Sequence, residues 1–520
     1  MTPAAARSPS RRGLQALLLV LAVAAAWGVA LRDDFAWDDT YLVRDNIEIR
    51  SLDSIPTFFL RPWASGTDYA LGARQNATYF RPVALASMAL DHAFFGGAAW
   101  GYHLGNLLVH LACVLLLWSL GNRWRTLLDL PPSLPWVVAL AWAIHPVHAE
   151  AVHLVSYRTT LLSTLAVLGV LRLSLPGDPQ EGPVERALRI GALLGCWTLG
   201  LLSKETAAVG LPLLAVQDGF LRRLSPRRVL EVYVPLLAML ALWWWYRGQV
   251  TAPGIYSWFE GLTPFQSALM VPRVFFLYVR LVLIPWPLCP FYDWSVLGVP
   301  RSPWEPDILA GLVLLVLLPA TAIATFRRAP EVSLGLSWFL VALAPVSHLV
   351  PFFDAAGERF LHLPLIGALW AVVAAGWRVP APGHRRVLAV VLAVLVAGGL
   401  ALSVRRGLEW RDSETVLKAS VRDFPDSVSA WLGLGRLYLG DDRPAEAVPA
   451  LEQARALAPA LPVVHGLLAA AEALSGDLSG ARRTLIVAPP PPQGLPSAAE
   501  IARQEVTRAG RTNLLAPMGL

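Results

Sequence analysis

The chain has 520 residues, of which 55% are hydrophobic and only 15% charged, and its mean hydropathy is +0.51. Soluble globular chains carry roughly a quarter charged residues, so this composition excludes an ordinary soluble protein. The net charge of +6 does not point to nucleic acid, because much of the Lys/Arg excess lies in short loops between apolar blocks, where membrane orientation places it.

The first apolar block, "GLQALLLVLAVAAAWGVAL" (13–31), follows Arg7, Arg11 and Arg12. It is longer than the apolar core of a signal peptide and is followed by acids rather than a cleavage site, so it reads as an uncleaved first span. Residues 32–101 then form a polar stretch too long for a simple connector. Eleven further apolar blocks, at about 102–120, 134–150, 159–175, 188–202, 204–220, 229–247, 268–287, 307–326, 332–350, 361–377 and 385–404, approach the length of a membrane span. Placing the basic loops at 122–125, 222–228, 327–328 and 378–386 inside, together with the N-terminus, requires one block to fail as a crossing. The block at 268–287, interrupted by Pro272, Arg273 and Arg280, is the expected failure. About 11 spans then put the 32–101 loop, "HPVHAEAVHLVSYR" (145–158) and "DAAGERF" (354–360) on one outer face. Cys113, Cys196 and Cys289 lie in or beside apolar segments, and an odd count without CxxC defines neither a disulfide frame nor a zinc site.

From about residue 405 the pattern becomes alanine- and leucine-rich. Trp431, Leu434, Gly435, Tyr438, Ala447, Leu451, Ala454 and Pro459 fall at the characteristic positions of a tetratricopeptide (TPR) repeat over 428–461. A weaker repeat follows with Leu468, Ala469, Ala481, Leu485 and Ala488, and "SETVLKASVRDFP" (413–425) reads as a half repeat before it. The expected organisation is all-α: a polytopic membrane domain over 1–404, a short α-solenoid over 405–488, and a Pro-rich, flexible tail over 489–520.

Several polar groups collect on the expected outer face. Asp38 and Asp39 follow the first span closely. Neighbouring side chains point about 100° apart on a helix and to opposite faces of a strand, so at most one can aim fully at a reacting centre. A solvated loop is the bland reading; a general base for a hydroxyl nucleophile is the chemical one. In "HPVHAEAVHLVSYR", His145 and His148 share a helix face at i, i+3, as do Glu150 and His153. Metal ligation, interfacial hydrogen bonding and a polar or phosphate pocket all fit that stretch. Lys204 and Glu205 in "LLSKETA" form a local ion pair or present a cation to a phosphate. Arg81 in "YFRPVALAS" and Arg359 in "GERFLHLP" add charge to the same face. Cations and acids converging in a chain without a water-soluble catalytic domain suggest a lipid-phosphate substrate. No P-loop and no Rossmann fingerprint is present, which argues against an ATP-driven pump and against a cytosolic nucleotide-sugar site.

The ordered set "WDD" with Asn46 following, "YFRPV", "GYHLGNLLVH", "HPVHAEAV" leading to Arg158, "SKE", "GERFLHLPLIG" and the trailing repeats covers most of 30–460. It resembles the transmembrane and tetratricopeptide-repeat-containing O-mannosyltransferases and their bacterial relatives in the GT-C glycosyltransferase class. The resemblance implies an inverting transferase that takes a sugar, mannose being the one suggested, from a polyprenyl-phosphate donor to a hydroxyl acceptor outside the cytoplasm. It maps the family's acidic pair onto Asp38 and Asp39. Lys204, Arg158, Arg359, His145 and His148 are then the candidates for the donor phosphate, supported by Glu150, Glu205, Arg81, His103 and Glu358. No cofactor is required and a divalent cation is optional. The expected partners are the lipid-linked donor, membrane lipid and a polypeptide or glycan acceptor held by the repeats, with no nucleic acid. The expected location is the inner membrane, with the N-terminus cytoplasmic and the repeats extracytoplasmic. The repeat array is short for the eukaryotic members, and Phe360 stands where tyrosine is common. A non-enzymatic assembly factor and a flippase for lipid-linked saccharides are the rival readings.

Overall fold

The computed structural model describes residues 11–63, 78–176, 181–251, 262–349, 354–379, 384–491 and 495–520. Parts of the first loop (64–77) and of the basic loop at 378–386 (380–383) lie outside the described residues, as does Pro492. Every regular element among the described residues is helical. Among the described residues, six helices are long and apolar enough to cross a membrane: Arg11–Arg32, Ala99–Leu128, Pro226–Val250, Pro264–Leu283, Pro306–Thr325 and Val390–Glu409. A bent pair, Pro146–His153 followed by Arg158–Ser174 at 111°, raises the number to seven if counted as one span. Shorter apolar helices, among them Pro82–Phe95, Leu134–Ala143 and Pro364–Trp377, fill in between. The protein is a multi-pass, all-helical membrane protein.

The block at 268–287, the expected failure as a crossing, falls mostly within a helix long and apolar enough to cross. Pro264–Leu283 is one continuous helix through Pro272 and Arg273. The Arg273 charge, which argued against a crossing, is neutralised: its Nε donates to Asp307 at 2.7 Å and its guanidinium also pairs with Glu305. Glycine permits the close approach of Pro306–Thr325 here, since a Cβ on Gly311 would stand 1.9 Å from the Pro272 carbonyl oxygen. A second crossing of this kind joins Pro330–Leu343 to Pro364–Trp377, where Gly335 and Gly367 face each other's backbone.

The chain divides into two compact units. One comprises Met1–Leu288, Pro300–Phe353 and Glu358–Arg411; the other comprises Cys289–Val299, Asp354–Gly357 and Asp412–Leu520. In the first, residues 33–63 are short turns rather than regular helices. Phe35, Leu42, Val43, Ile49, Phe58 and Trp63 bury themselves against Ala84, Leu85 and Met88 of Pro82–Phe95 and against Tyr102. This small apolar core, rather than any long element, gives the segment carrying Asp38 and Asp39 a defined shape.

In the second unit, Val428–Gly440 and Pro444–Leu457 pack as a helix pair, with Leu451 seated against Gly435. Pro462–Leu474 and Leu478–Ile486 follow. The segment 289–299 belongs to this unit because Asp293 caps it, accepting from Ser295 and Val296 N–H, and also accepts the Ser429 N–H at 3.1 Å. The tail departs from the expectation of loose attachment. Ala498–Arg508 is a helix with a Ser497/Glu500 capping box. Its Ala502 and Val506 join Ala469, Ala470, Ala473, Ala481 and Met518 in one apolar cluster.

Candidate active site

The site is built around a break in a helix. Ala149–His153 ends and Arg158–Ser174 begins after four extended or turning residues. Asn106, from the Ala99–Leu128 helix, holds the break from below: its Nδ2 donates to the carbonyls of Val152 (3.0 Å) and Leu154 (2.9 Å). From the other side, the exposed backbone donors of the break are taken by Asp39. Val155 N–H donates to Oδ2 at 2.6 Å and Ser156 N–H to Oδ1 at 2.7 Å. Asp39 is wholly buried, and burial pushes its carboxyl up to about 7, reinforced by the Asp38 charge and opposed by the Ser156 and Val155 hydrogen bonds.

Asp38 meets different surroundings. It is half-buried, and both its oxygens accept from phenols: Oδ1 from Tyr41, and Oδ2 from Tyr157 at 3.1 Å. Trp37 before it adopts φ +49°, a conformation that is a genuine outlier for a bulky residue. Such strain persists where surrounding structure over-determines it and collects at functional sites. The adjacent acids are thus divided, one held by main-chain N–H groups and the other by the hydroxyls of two side chains.

Tyr157 connects Asp38 to a group of charges. The Arg359 guanidinium lies over its ring at 4.5 Å and beside Phe360 at 4.6 Å. Glu150 orients Arg359, accepting its backbone N–H at 2.8 Å and pairing with its guanidinium. Lys204, in the extended residue between Pro183–Ser203 and Glu205–Val209, donates to Thr160 Oγ1 at 2.8 Å and lies 5.4 Å from the Phe360 ring. Arg81 forks onto Glu205, at 2.7 and 3.3 Å, and stacks over Tyr79 at 4.2 Å. Lys204 is close enough to feel the repulsion of both Arg81 and Arg359. Lys204, Arg81 and Arg359 thus stand close together, with Glu205 and Glu150 among the carboxylates that pair with the two arginines.

Other expected ligands lie elsewhere. Arg158 is buried and saturated: Nε donates to Asn106 Oδ1 and Nη2 to the Tyr102 carbonyl, each at 2.7 Å, Nη1 reaches Ser87, and Asp91 pairs with it. A Cβ on residue 105 would meet Arg158 Nη2 at 2.9 Å, so Gly105 and Asn106 of "GYHLGN" form a socket for this side chain. Each nitrogen of the Arg158 guanidinium is thus engaged within the protein. His145 approaches the Val282 carbonyl at 3.2 Å, away from the cations. His148 packs among Trp142, His110 and His362 rings. Its ring nitrogens lack partners there, and among the described residues no group of three His, Cys, Asp or Glu gathers as metal ligands would. His103 lies against Phe35, and Glu358 accepts from Arg406 at 3.2 Å. Tyr157, Tyr41, Thr160 and Asn106 were not singled out in the sequence, although Tyr157 and Asn106 lie inside quoted motifs.

No family model matches the chain. It is similar to the protein O-mannosyl-transferase F38B6.6 of Caenorhabditis elegans, 22% identical over 452 residues, which is 84% of this chain and 62% of the relative. It is also similar to the protein O-mannosyl-transferase TMTC4 of Homo sapiens, 23% identical over 469 residues, 78% of this chain and 61% of the relative. Its homologues are TMTC-type protein O-mannosyl-transferases. The resemblance drawn from the motifs is therefore borne out. The chain spans about three fifths of the length of these relatives. Among solved structures it is similar to a crystal structure of ArnT from Cupriavidus metallidurans bound to undecaprenyl phosphate, at 14% identity and a TM-score of 0.40, covering 92% of this chain and 80% of that one.

Proposed function

We propose that the protein is a GT-C-type glycosyltransferase that moves a sugar, mannose in the reading we favour, from a polyprenyl phosphate to a hydroxyl acceptor with inversion. The observation that carries this is the pairing of one partly exposed carboxylate, Asp38, with a group of three cations through a single side chain, Tyr157. The homologues' names as O-mannosyl-transferases support the reaction class. In the proposed step the acceptor oxygen attacks the anomeric carbon and Asp38 takes its proton. The bond from that carbon to the phosphate oxygen breaks, and the lipid phosphate leaves with both electrons. Lys204, Arg359 and Arg81 are the fixed cations that meet the charge developing on it. Asp39 is the anchor rather than the base, because both its oxygens are already held by main-chain N–H groups. Because the donor brings its own phosphate leaving group, no nucleotide enters the step.

We read the helix pairs over 428–486 as tetratricopeptide repeats that hold a polypeptide or glycan acceptor, and the orientation as N-terminus inside with the site outside. Incubating membranes that contain the protein with a panel of labelled polyprenyl-phosphate sugars tests the reading. Label from one of them should pass to a hydroxyl-bearing acceptor. Direct use of a nucleotide sugar, or no transfer from any lipid-linked sugar, would remove it.

A further inference from the structure

We propose that Tyr157 is a positioning residue that fixes the proton-accepting acid and the phosphate-binding cation at one separation, its hydroxyl holding Asp38 and its ring face holding Arg359. The inference rests on the reading of Asp38 as base and Arg359 as phosphate ligand. One rigid side chain makes both contacts: the hydroxyl donates to Asp38 Oδ2 at 3.1 Å, and the Arg359 guanidinium lies 4.5 Å from the ring centroid. A phenol has only two side-chain torsions, so with its backbone fixed the contacts at its hydroxyl and ring face are enough to hold both ends.

That backbone is held on both sides. Before it, Val155 and Ser156 are bonded to Asp39, and Asn106 takes the carbonyls of Val152 and Leu154. Tyr157 N–H donates to the Leu154 carbonyl at 3.2 Å, and its own carbonyl accepts from Thr160 N–H at 2.8 Å. After it, Arg158 is locked by Asn106, Tyr102, Ser87 and Asp91. The saturated Arg158 thus has a purpose in the site: it immobilises its neighbour. The same arrangement explains why a break, rather than a continuous helix, lies here. In an unbroken helix the N–H groups of Val155 and Ser156 would be spent within the helix and could not hold Asp39.

The two contacts are separable by substitution. Tyr157→Phe keeps the ring beneath Arg359 and removes the hydroxyl from Asp38. Tyr157→Leu removes both. Tyr41→Phe removes the hydroxyl bonded to the other oxygen of Asp38 and leaves Tyr157 in place. The measurement is steady-state transfer by the purified full-length protein in lipid nanodiscs, with radiolabelled polyprenyl-phosphate mannose as donor and a serine/threonine-rich peptide as acceptor. Tyr157→Phe and Tyr41→Phe should each lower kcat about tenfold or more with the donor KM unchanged, whereas Tyr157→Leu should also raise the donor KM several-fold, roughly as loss of a ring–cation contact would. Groups that act through one another are non-additive, so adding Tyr157→Phe in an Asp38→Asn background should cost almost nothing further. Thermal unfolding of each variant checks the fold, and the Phe variants, which lose one hydroxyl each, carry the test if the Leu variant is unstable. A wild-type kcat in Tyr157→Phe, or the full loss reappearing in the Asp38→Asn background, would overturn the inference while leaving the base assignment standing. Full turnover by Asp38→Asn itself would instead remove the base assignment, and this inference with it.

Discussion

Asp38 and Asp39 differ by one position and by everything they touch, so their substitutions should separate. Asp39→Asn presents an amide N–H₂ to a main-chain N–H that now meets an oxygen, and the loop from 35 to 46 should loosen. Its pH behaviour has a definite sign. The folded carboxyl is raised to about 7 by burial, above the usual unfolded value near 3.9, so its contribution to stability is complete below about pH 4 and is lost as pH rises through 7. The wild-type melting temperature should therefore fall from about pH 4 to about pH 7 and level off above it, and Asp39→Asn should flatten that slope; an equal slope in both would show that Asp39 does not titrate there. The cations make a different prediction. Lys204→Gln and Arg359→Gln should raise the donor KM more than the acceptor KM, as initial rates at varied donor would show. Arg158→Gln should instead destabilise the fold by about 3–5 kcal/mol, because it strands Asp91. Arg158→Lys should fare little better, since an ammonium cannot reproduce a planar fork of donors; thermal unfolding in detergent distinguishes these outcomes from a binding defect.

At the scale of elements, the break at 154–157 and the glycine crossings carry the architecture. Asn106→Ala would leave two main-chain carbonyls and the Arg158 Nε without their partner. Each buried group left unpaired costs about 1–3 kcal/mol, so the melting temperature should drop sharply even though Asn106 has no proposed contact with substrate. How much of this was readable from sequence follows from what kind of contact is involved. The acid pair, "SKE" and "GERF" were legible as charges placed where apolar sequence makes charge expensive. Tyr157, Tyr41 and Thr160 were not, because a lone hydroxyl is ordinary until its partner is known, and the partner of Tyr157 is 119 residues away. For Arg158 the same limit applies: residue type cannot report that its donors are engaged within the protein. In Pro264–Leu283, the sequence alone could not show that Arg273 is paired with Glu305 and Asp307. The tail at 498–508 was obscured by the preceding prolines, although Ile501, Ala502 and Val506 share the face that packs.

For the whole molecule, the proposed topology sets the repeats and the site on one side of the membrane. A reporter fused after Leu520 should then behave as extracytoplasmic, and a cytoplasmic signal would separate the repeats from the site. A helical array presents a binding surface and carries no chemistry of its own, so its use would be to raise the effective concentration of the acceptor. Substitutions on the exposed faces of Val428–Gly440 and Pro462–Leu474 should impair transfer to the natural acceptor more than to a short peptide, while equal loss with both would make the helices structural. The most direct test of the whole account is single-turnover transfer from labelled polyprenyl-phosphate mannose by the purified protein and by its Asp38→Asn variant. Loss of a general base commonly costs about 10²–10⁴ in rate; the account predicts a loss of that size with donor binding intact, and transfer at the wild-type rate by Asp38→Asn would contradict it.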